Sequence, residues 1–228
     1  MNIKPIAHVR TCYGEKFGVP RQSGLVDEAW GQLVFEPEYR QLDAIRGLDG
    51  FSHLWLVFIF HHTSHKEWKP TVRPPRLGGN QKVGVFASRS PFRPNPIGLS
   101  CLKIEKIDLL DPLAPIIHLS GVDVVDGTPV IDIKPYVPYA DCLPNASEGF
   151  AHGPPPPLAL HWQNDIDANI DSATKRLIEK SLSMDPRPAY QNDDQQREYG
   201  CLIDGLNVRW TVQNNTVLIL SCSCASST

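Results

Sequence analysis

Short runs of apolar and β-branched residues, separated by glycine and proline, make up most of the first two thirds of the chain. Several of them alternate apolar and polar residues, which is typical of strands with one buried face. The runs are residues 6–9, 32–35, 54–60, 82–88, 100–107, 115–125 and 129–133. Short strands with turn residues between them predict a closed or nearly closed β-barrel.

Two segments of this region depart from the alternating pattern. The run at 54–60 is continuously apolar, so we expect a strand covered on both faces, as a central strand or one at a subunit contact would be. Residues 38–48 are predicted to form one short helix, because Leu42 and Ile45 are spaced for one helical face and Gly47 stands near its end.

A break in composition follows at residues 149–157, where four consecutive prolines favour an extended spacer. Residues 165–184 carry acidic residues early and basic residues late, which predicts an amphipathic helix, and 206–212 with 216–221 predict a hairpin. We therefore predict a mainly β protein. It has a barrel domain at 1–147, a proline-rich linker at 148–158 and a small α+β domain at 159–228.

Composition limits the compartment and the class of protein. The 228 residues are 41% hydrophobic, enough for one substantial core and a smaller unit. We expect a cytoplasmic protein without a signal peptide or membrane segment, since the longest apolar run is far shorter than the roughly 20 residues of a membrane helix. The six cysteines include no CxxC pair, which indicates reduced thiols rather than disulfides or a zinc site.

Positive charge is concentrated in one segment, although the net charge of the chain is -3. Residues 69–103 contain no Asp or Glu and carry Lys69, Arg73, Arg76, Lys82, Arg89, Arg93 and Lys103. Prolines in 73–79 and 88–100 stiffen the loops that present these arginines, which suits recognition of phosphate or carboxylate. A solvated basic loop is the alternative, but two such loops around one strand favour function, most simply the binding of RNA.

Other candidate groups are weaker when taken alone. His61, His62 and His65 follow the apolar strand, and a metal site built on His61 and His65 would need helical spacing and a further ligand. We therefore favour histidines that line a pocket or close the core, and we predict no metal. Asp126 lies in a DGTP turn signal, and Arg21 with Gln22 lies in a short loop. The sequence lacks the glycine fingerprint of dinucleotide-binding folds, a phosphate-binding P-loop and a nucleophile elbow.

Several stretches resemble the TsaA-like β-barrel family. In the first 147 residues they are DGFSHLWLVFIFH (49–61), RPPRLGG (73–79), VGVFASRSPFRPNPIGLS (83–100) and VDVVDGTPVIDIKPYVPYAD (122–141). DPRPAY (185–190) and LNVRW (206–210) resemble the C-terminal domain of its two-domain bacterial members. The resemblance implies an S-adenosylmethionine-dependent enzyme that methylates N6 of N6-threonylcarbamoyladenosine at position 37, beside the anticodon of threonine tRNA. It also implies a homodimer with the cofactor near the subunit contact.

The resemblance carries a set of cofactor-binding residues onto this sequence. They are Pro20, Arg21, Gln22, His61, His62, Arg89, Leu99, Asp123, Val124, Val125, Asp126, Gly127 and Thr128. Arg73, Arg76 and Arg93 are predicted to bind the anticodon-loop phosphates or the threonyl carboxylate. Because the acceptor N6 shares its lone pair with the purine and the carbonyl, a base that removes its proton would help. Asp126 and His61 are the candidates for this catalytic role.

Two alternatives come from other classes. A non-catalytic RNA-binding β-barrel would share the basic loops and differ in binding no S-adenosylmethionine. A small metal-dependent hydrolase would use His61 and His65 and would contain metal when purified.

Overall fold

The computed structural model describes residues 3–63, 67–164, 166, 169–187 and 197–225. Six antiparallel strands form a closed barrel: β1 (Ala7–Thr11), β2 (Trp30–Phe35), β3 (His53–Ile59), β6 (Ile97–Asp108), β7 (Ile116–Ser120) and β8 (Thr128–Pro135). The order around the barrel is β1-β2-β7-β6-β3-β8, and β8 pairs with β1 to close it. The predicted fold class is confirmed.

Alternation along the strands fills the barrel with apolar side chains. On β3 the even-numbered Leu54, Leu56 and Phe58 are buried, whereas Trp55 and Val57 on the outer face are half-buried. The apolar residues of β3 thus occupy both faces, but only the inner face is fully covered within the chain. The prediction is confirmed for the inner face, and coverage of the outer face at a subunit contact stays a prediction.

Two predicted elements in the barrel half are wrong. The run at 82–88 gives only the short strand β5 (Val83–Gly84), paired with β4 (Thr71–Val72), followed by a 3-10 helix at Val85–Ala87. The predicted helix at 38–48 is replaced by separate 3-10 turns, at Pro37–Tyr39, Leu42–Ile45 and Leu48–Gly50. Gly47 between the last two has a φ of 84°, a left-handed conformation that interrupts a helix.

The chain leaves the barrel through a short helix, α1 (Pro138–Asp141), and an exposed proline-rich segment without regular secondary structure. A four-stranded sheet follows in the order β10-β11-β12-β9, in which β9 is parallel to β12. Its strands are β9 (Ala159–Trp162), β10 (Tyr199–Ile203), β11 (Leu206–Gln213) and β12 (Thr216–Cys224). The predicted hairpin is confirmed, and its turn contains Asn214 and Asn215 at positive φ.

The predicted amphipathic helix is α2 (Ser172–Ser183), which begins seven residues later than expected. Asp171 caps its start by accepting hydrogen bonds from the amides of Ala173 (2.9 Å) and Thr174 (3.1 Å). Leu177, Ile178 and Leu182 on α2 are fully buried in a core that is continuous with the barrel interior. No helix among the described residues is long and apolar enough to cross a membrane.

Candidate functional site

Three of the predicted cofactor residues meet beside one end of the barrel. Arg89 donates a hydrogen bond to Oε1 of Gln22, and the charge of Arg89 acts on the carboxylate of Asp123. A backbone hydrogen bond from Gly24 to Gly121 (2.9 Å) ties the loop of Gln22 to the connection that carries Asp123. The two loops touch at glycines, because a Cβ on Gly121 would lie 3.2 Å from the backbone of Gly24. The sequence segments at 20–24, 89 and 123 therefore form one cluster.

Asp123 is the carboxylate of this cluster, and its pKa is strongly shifted. Burial raises its pKa to about 6, opposed mainly by the hydrogen bond that its Oδ1 accepts from Ser100 Oγ at 2.6 Å. A carboxyl group with such a pKa exchanges a proton near neutral pH, as a general base must. Ser100 was not among the predicted residues. Its position directly after Leu99 argued against it, because consecutive strand residues point to opposite faces and Leu99 was the residue predicted to face the cofactor.

The segment from Asp123 to Thr128 divides into buried and exposed parts. The side chains of Val124 and Thr128 are buried, and the Thr128 hydroxyl donates to the carbonyl of Val125 at 2.6 Å. Asp126 is exposed and caps β1, since its Oδ1 accepts from the amide of Thr11 at 2.9 Å. Gly127 is exposed at a φ of 75°. Because its side chain is buried, Val124 can contact a ligand only through its backbone. Asp126 is exposed, but its carboxylate already accepts a hydrogen bond from Thr11.

The two histidines lie in a 3-10 helix, His61–Thr63, directly after β3. Their ring centroids are 4.1 Å apart. Partial burial and the neighbouring His62 lower the pKa of His61, which favours the neutral imidazole, the form that accepts a proton. The amide of Phe60 donates to the carbonyl of Pro96 (2.8 Å), which joins this turn to the proline-rich loop before β6. His65 lies outside the described residues.

The described residues contain no group of three or more His, Cys, Asp or Glu side chains that could hold a metal ion. The hydrolase interpretation therefore has no support in the described part of the chain. Among the described residues no disulfide forms either; the cysteines are free.

Leu99 lies away from the Asp123 cluster, on the outer face of the barrel. It is 53% exposed and pairs with Val57 of β3. The neighbouring pairs in the same register are Ile59 with Ile97 and Trp55 with Cys101. These six residues, Trp55, Val57, Ile59, Ile97, Leu99 and Cys101, form an outer apolar stripe. Ser100 points to the inside and Leu99 to the outside of the same strand, so the predicted cofactor residues of one chain do not all face one cavity.

Arg21 is engaged by the C-terminal half of the chain. Its Nη2 donates to the carbonyls of Asp185 (3.1 Å) and Arg187 (2.9 Å). Arg187 in turn is 4% exposed and binds Asp185 through two hydrogen bonds, of 2.7 and 2.9 Å. This contact between the loop at 20–22 and the turn after α2 was not predicted, because the partners are more than 160 residues apart in sequence. Pro20, next to Arg21, is buried.

The three arginines predicted to face RNA have different surroundings. Arg73 is exposed, and Arg76 is exposed while donating to the carbonyl of Gly153 at 2.6 Å. Arg93 is half-buried, and its Nη1 donates to the carbonyls of Val85 (3.2 Å) and Ser88 (2.7 Å). Arg93 therefore stabilises the loop in addition to any role with a ligand.

The chemistry of these groups fits S-adenosylmethionine. Its methionine part carries a carboxylate, for which a guanidinium such as that of Arg89 is a suitable partner. Its ammonium and sulfonium groups are cationic, and Asp123 provides a partly buried carboxylate for them. The rings of His61 and His62 offer aromatic surface for a purine.

Two family models match the chain. One, described as the tRNA-methyltransferase O N-terminal domain, matches residues 8–142, and one described as the TrmO C-terminal domain matches residues 155–225. The chain belongs to the TrmO family. The resemblance found in the sequence is thereby confirmed, and it extends over both halves of the molecule.

Two bacterial relatives are similar to this chain over almost their whole length. The tRNA (adenine(37)-N6)-methyltransferase of Escherichia coli is 45% identical over 91% of this chain and 91% of its own. A putative S-adenosylmethionine-dependent methyltransferase of Pseudomonas aeruginosa is 43% identical over 92% and 91% of the two chains. The crystal structure of TrmO from Pseudomonas aeruginosa superposes with a TM-score of 0.79 at 35% identity, covering 98% of each chain.

Proposed function

We propose that this chain is a TrmO-family enzyme that methylates N6 of N6-threonylcarbamoyladenosine at position 37 of threonine tRNA. At the coarser level it is an S-adenosylmethionine-dependent tRNA (adenine-N6)-methyltransferase. The observation that carries the proposal is the match of both TrmO family models to one chain whose Gln22, Arg89 and Asp123 converge. This family membership favours the enzyme over a non-catalytic RNA-binding β-barrel.

The cofactor is assigned to the residues that the resemblance named, from Pro20 to Gln22, His61, His62, Arg89, Leu99 and the segment 123–128. When bound, S-adenosylmethionine supplies an electrophilic methyl group on a sulfonium. In the proposal Arg89 orients the cofactor's carboxylate while it holds Gln22 in place. Alignment of the methyl donor with its acceptor accounts for much of the catalysis, worth up to about 7–11 kcal/mol in well-oriented systems.

Removal of the N6 proton requires a base near the acceptor. Asp126 and His61 remain candidates, and the structure adds Asp123, whose pKa of about 6 suits proton exchange. The substitutions Asp123→Asn, Asp126→Asn and His61→Gln separate them by turnover at saturating cofactor. We expect the base to be the position where turnover falls by about 10²- to 10⁴-fold. Near-normal turnover in all three variants would contradict proton removal by a side chain of this site.

The tRNA is assigned to the basic loops, with Arg73 and Arg76 as direct phosphate or carboxylate ligands. Both are exposed, and neither takes part in an ion pair among the described residues. Arg93 is proposed to serve the same surface, partly by bracing it.

We propose a homodimer that covers the outer apolar stripe. A stripe of six paired, half-buried or exposed side chains on two adjacent strands is unusual for a solvated barrel face, and a second copy would bury it. Leu99 lies in this stripe, which agrees with a cofactor placed near the subunit contact. In this arrangement residues 1–147 form the catalytic domain, 148–158 the linker and 159–228 the supporting domain of a cytoplasmic enzyme.

Labelled methyl transfer tests the substrate. The purified enzyme is incubated with labelled S-adenosylmethionine and with tRNA from cells that have or lack the threonylcarbamoyl modification. We expect label only in the modified pool, and only in tRNA that carries adenosine at position 37. Equal labelling of the two pools would exclude the proposed substrate, and no labelling of either would exclude the activity.

A further inference from the structure

Phe86 is a large aromatic side chain held away from the protein. It is 73% exposed, whereas Val85 beside it is 1% exposed. Single exposed apolar residues are common on protein surfaces, so exposure by itself carries no meaning. Two further features distinguish Phe86. Hydrogen bonds hold the turn that carries it, and the guanidinium of Arg93 lies over its ring.

The turn that presents Phe86 is braced from several directions. The carbonyl of Val85 accepts from the Ser88 amide (3.2 Å), the Ser88 hydroxyl (2.9 Å) and Arg93 Nη1 (3.2 Å). The Val85 amide donates to the carbonyl of Pro70 at 3.0 Å, and Arg93 also binds the carbonyl of Ser88. The ring is therefore displayed by a rigid backbone, which lowers the entropy lost when a ligand binds.

One face of the ring carries a cation. Cζ of Arg93 lies 5.7 Å from the centroid of Phe86, within the range of a cation–π contact. With a guanidinium on one face and most of its surface exposed, the ring has its other face accessible. A guanidinium held against an aromatic ring is an arrangement that suits stacking on nucleobases beside phosphates.

The charge around Phe86 fits a polyanion. Phe86 lies within the acid-free segment 69–103. The amide of Lys69 donates to the carbonyl of Phe92 (3.2 Å), which joins Lys69 and the half-exposed Trp68 to the loop that carries Arg93. Arg89 of the candidate cofactor cluster is three residues from Phe86, so their Cα atoms are at most about 11 Å apart. This distance is short enough for one RNA strand to contact both the ring and the cluster.

We infer that Phe86 is a base-stacking residue, on which an unpaired anticodon-loop base next to the methylated adenosine packs. This inference rests on the proposed function, since it presupposes a tRNA substrate. Stacking of a flanking base would hold the loop open and fix the position of the target nucleotide. It would tolerate any of the four bases, because each has a π-face.

The test measures tRNA binding, cofactor binding and base stacking for wild type, Phe86→Leu and Phe86→Trp. Leucine keeps apolar bulk without a π-system, and tryptophan keeps the π-system. For Phe86→Leu we expect the tRNA dissociation constant to rise about 5- to 150-fold, with unchanged S-adenosylmethionine affinity. A tRNA with 2-aminopurine beside position 37 should lose its fluorescence quenching on Phe86→Leu and keep it on Phe86→Trp.

The outcomes separate this inference from the proposed function. If wild type methylates tRNA but Phe86→Leu binds and quenches as wild type does, Phe86 has no stacking role and the inference is overturned alone. The inference also fails if Phe86→Leu changes the sedimentation mass, since the ring would then belong to a subunit contact. If wild type neither binds nor methylates tRNA, both proposals fail.

Discussion

The hydroxyl oxygens of Tyr13 and Ser181 are 2.8 Å apart and buried, although the two residues are separated by 168 positions in sequence. Tyr13 follows the first barrel strand, and Ser181 lies on α2 of the C-terminal half. A bridge between Tyr13 and Ile203 and a hydrogen bond from the Asp204 amide to the Cys12 carbonyl (2.7 Å) lie next to this pair. The barrel and the C-terminal sheet are therefore joined through a continuous core.

Removal of this hydrogen bond should destabilise the whole chain. For Tyr13→Phe we expect the free energy of unfolding to fall by about 1–3 kcal/mol, because the buried Ser181 hydroxyl loses its partner. Urea denaturation measures this, with Tyr139→Phe at a 92% exposed position as the matched control. Both variants should unfold in one transition. Two separate transitions, only one of them shifted, would show that the halves are independent.

The buried carboxyl group of Asp123 should make stability depend on pH. Its pKa is raised from 3.8 to about 6, so the folded state prefers the protonated acid. Below pH 3.8 the carboxyl group is protonated in both the folded and the unfolded state, so the raised pKa does not change the free energy of unfolding. As the pH rises from 3.8 to above 6, the free energy of unfolding of wild type should fall by up to about 3 kcal/mol relative to that of Asp123→Asn.

Denaturation of wild type and Asp123→Asn at pH 4 and pH 7 measures this difference. Asp108→Asn provides a control of opposite sign, because the hydrogen bond from the Leu110 amide (2.9 Å) helps to lower the pKa of Asp108. There the wild-type protein gains relative stability as the pH rises. A difference between wild type and Asp123→Asn that is the same at both pH values contradicts the ionisation of a buried Asp123.

Arg89 should determine cofactor affinity through its planar fork. Arg89→Lys keeps the charge but cannot reproduce the guanidinium geometry that binds Gln22. We expect the dissociation constant of S-adenosylmethionine, measured by calorimetry, to rise about tenfold, the effect of one charge-assisted hydrogen bond. Arg46→Lys, at an exposed position with an i,i+3 partner, should leave it unchanged. If Arg89→Lys and Arg46→Lys bind S-adenosylmethionine with equal affinity, Arg89 is not part of the cofactor site.

The proposed dimer should depend on the outer apolar stripe. Ile97→Asp places a carboxylate in the stripe, where a subunit contact would have to desolvate it. Sedimentation should then show a monomer while wild type is a dimer. Leu110→Asp changes a 96% exposed leucine outside the stripe and should not alter the mass. A dimeric Ile97→Asp variant would place the contact elsewhere.

Phosphate binding by the exposed arginines should appear in the salt dependence of tRNA affinity. Arg73→Glu and Arg76→Glu should each weaken binding and reduce the slope of log K against log salt, by about 0.7 to 0.9 for each phosphate that is no longer neutralised. Arg46→Glu adds the same charge change outside the basic segment. If all three variants give the wild-type slope, the basic loops do not bind the tRNA backbone.

The sequence predicted those features that depend on neighbours along the chain. Alternation of apolar and polar residues indicated the barrel strands, and the two apolar runs at 206–212 and 216–221 indicated the hairpin. The apolar pattern predicted the wrong element at two places, where turns interrupt the strand or helix that the pattern indicates. The apolar run 82–88 ends as a 3-10 turn, and the helical spacing in 38–48 is interrupted by the left-handed Gly47.

The candidate site was only partly accessible from the sequence. Gln22, Arg89 and Asp123 were named through a resemblance, but nothing in their spacing indicated that they meet. Ser100 as partner of Asp123, and Asp185 and Arg187 as partners of Arg21, were missed altogether. These contacts follow from the strand order β1-β2-β7-β6-β3-β8 and from the packing of α2 against the barrel.

The sequence by itself thus determined most of the strand content, the acid-free basic segment and the family, because these are properties of consecutive residues. The tertiary structure decided which side chains face one another. It placed Ser100 against Asp123, and it turned Arg21 toward the C-terminal half. Such contacts depend on how distant segments close around a shared core, and side-chain periodicity along a strand shows which face is buried but not which distant residue it meets.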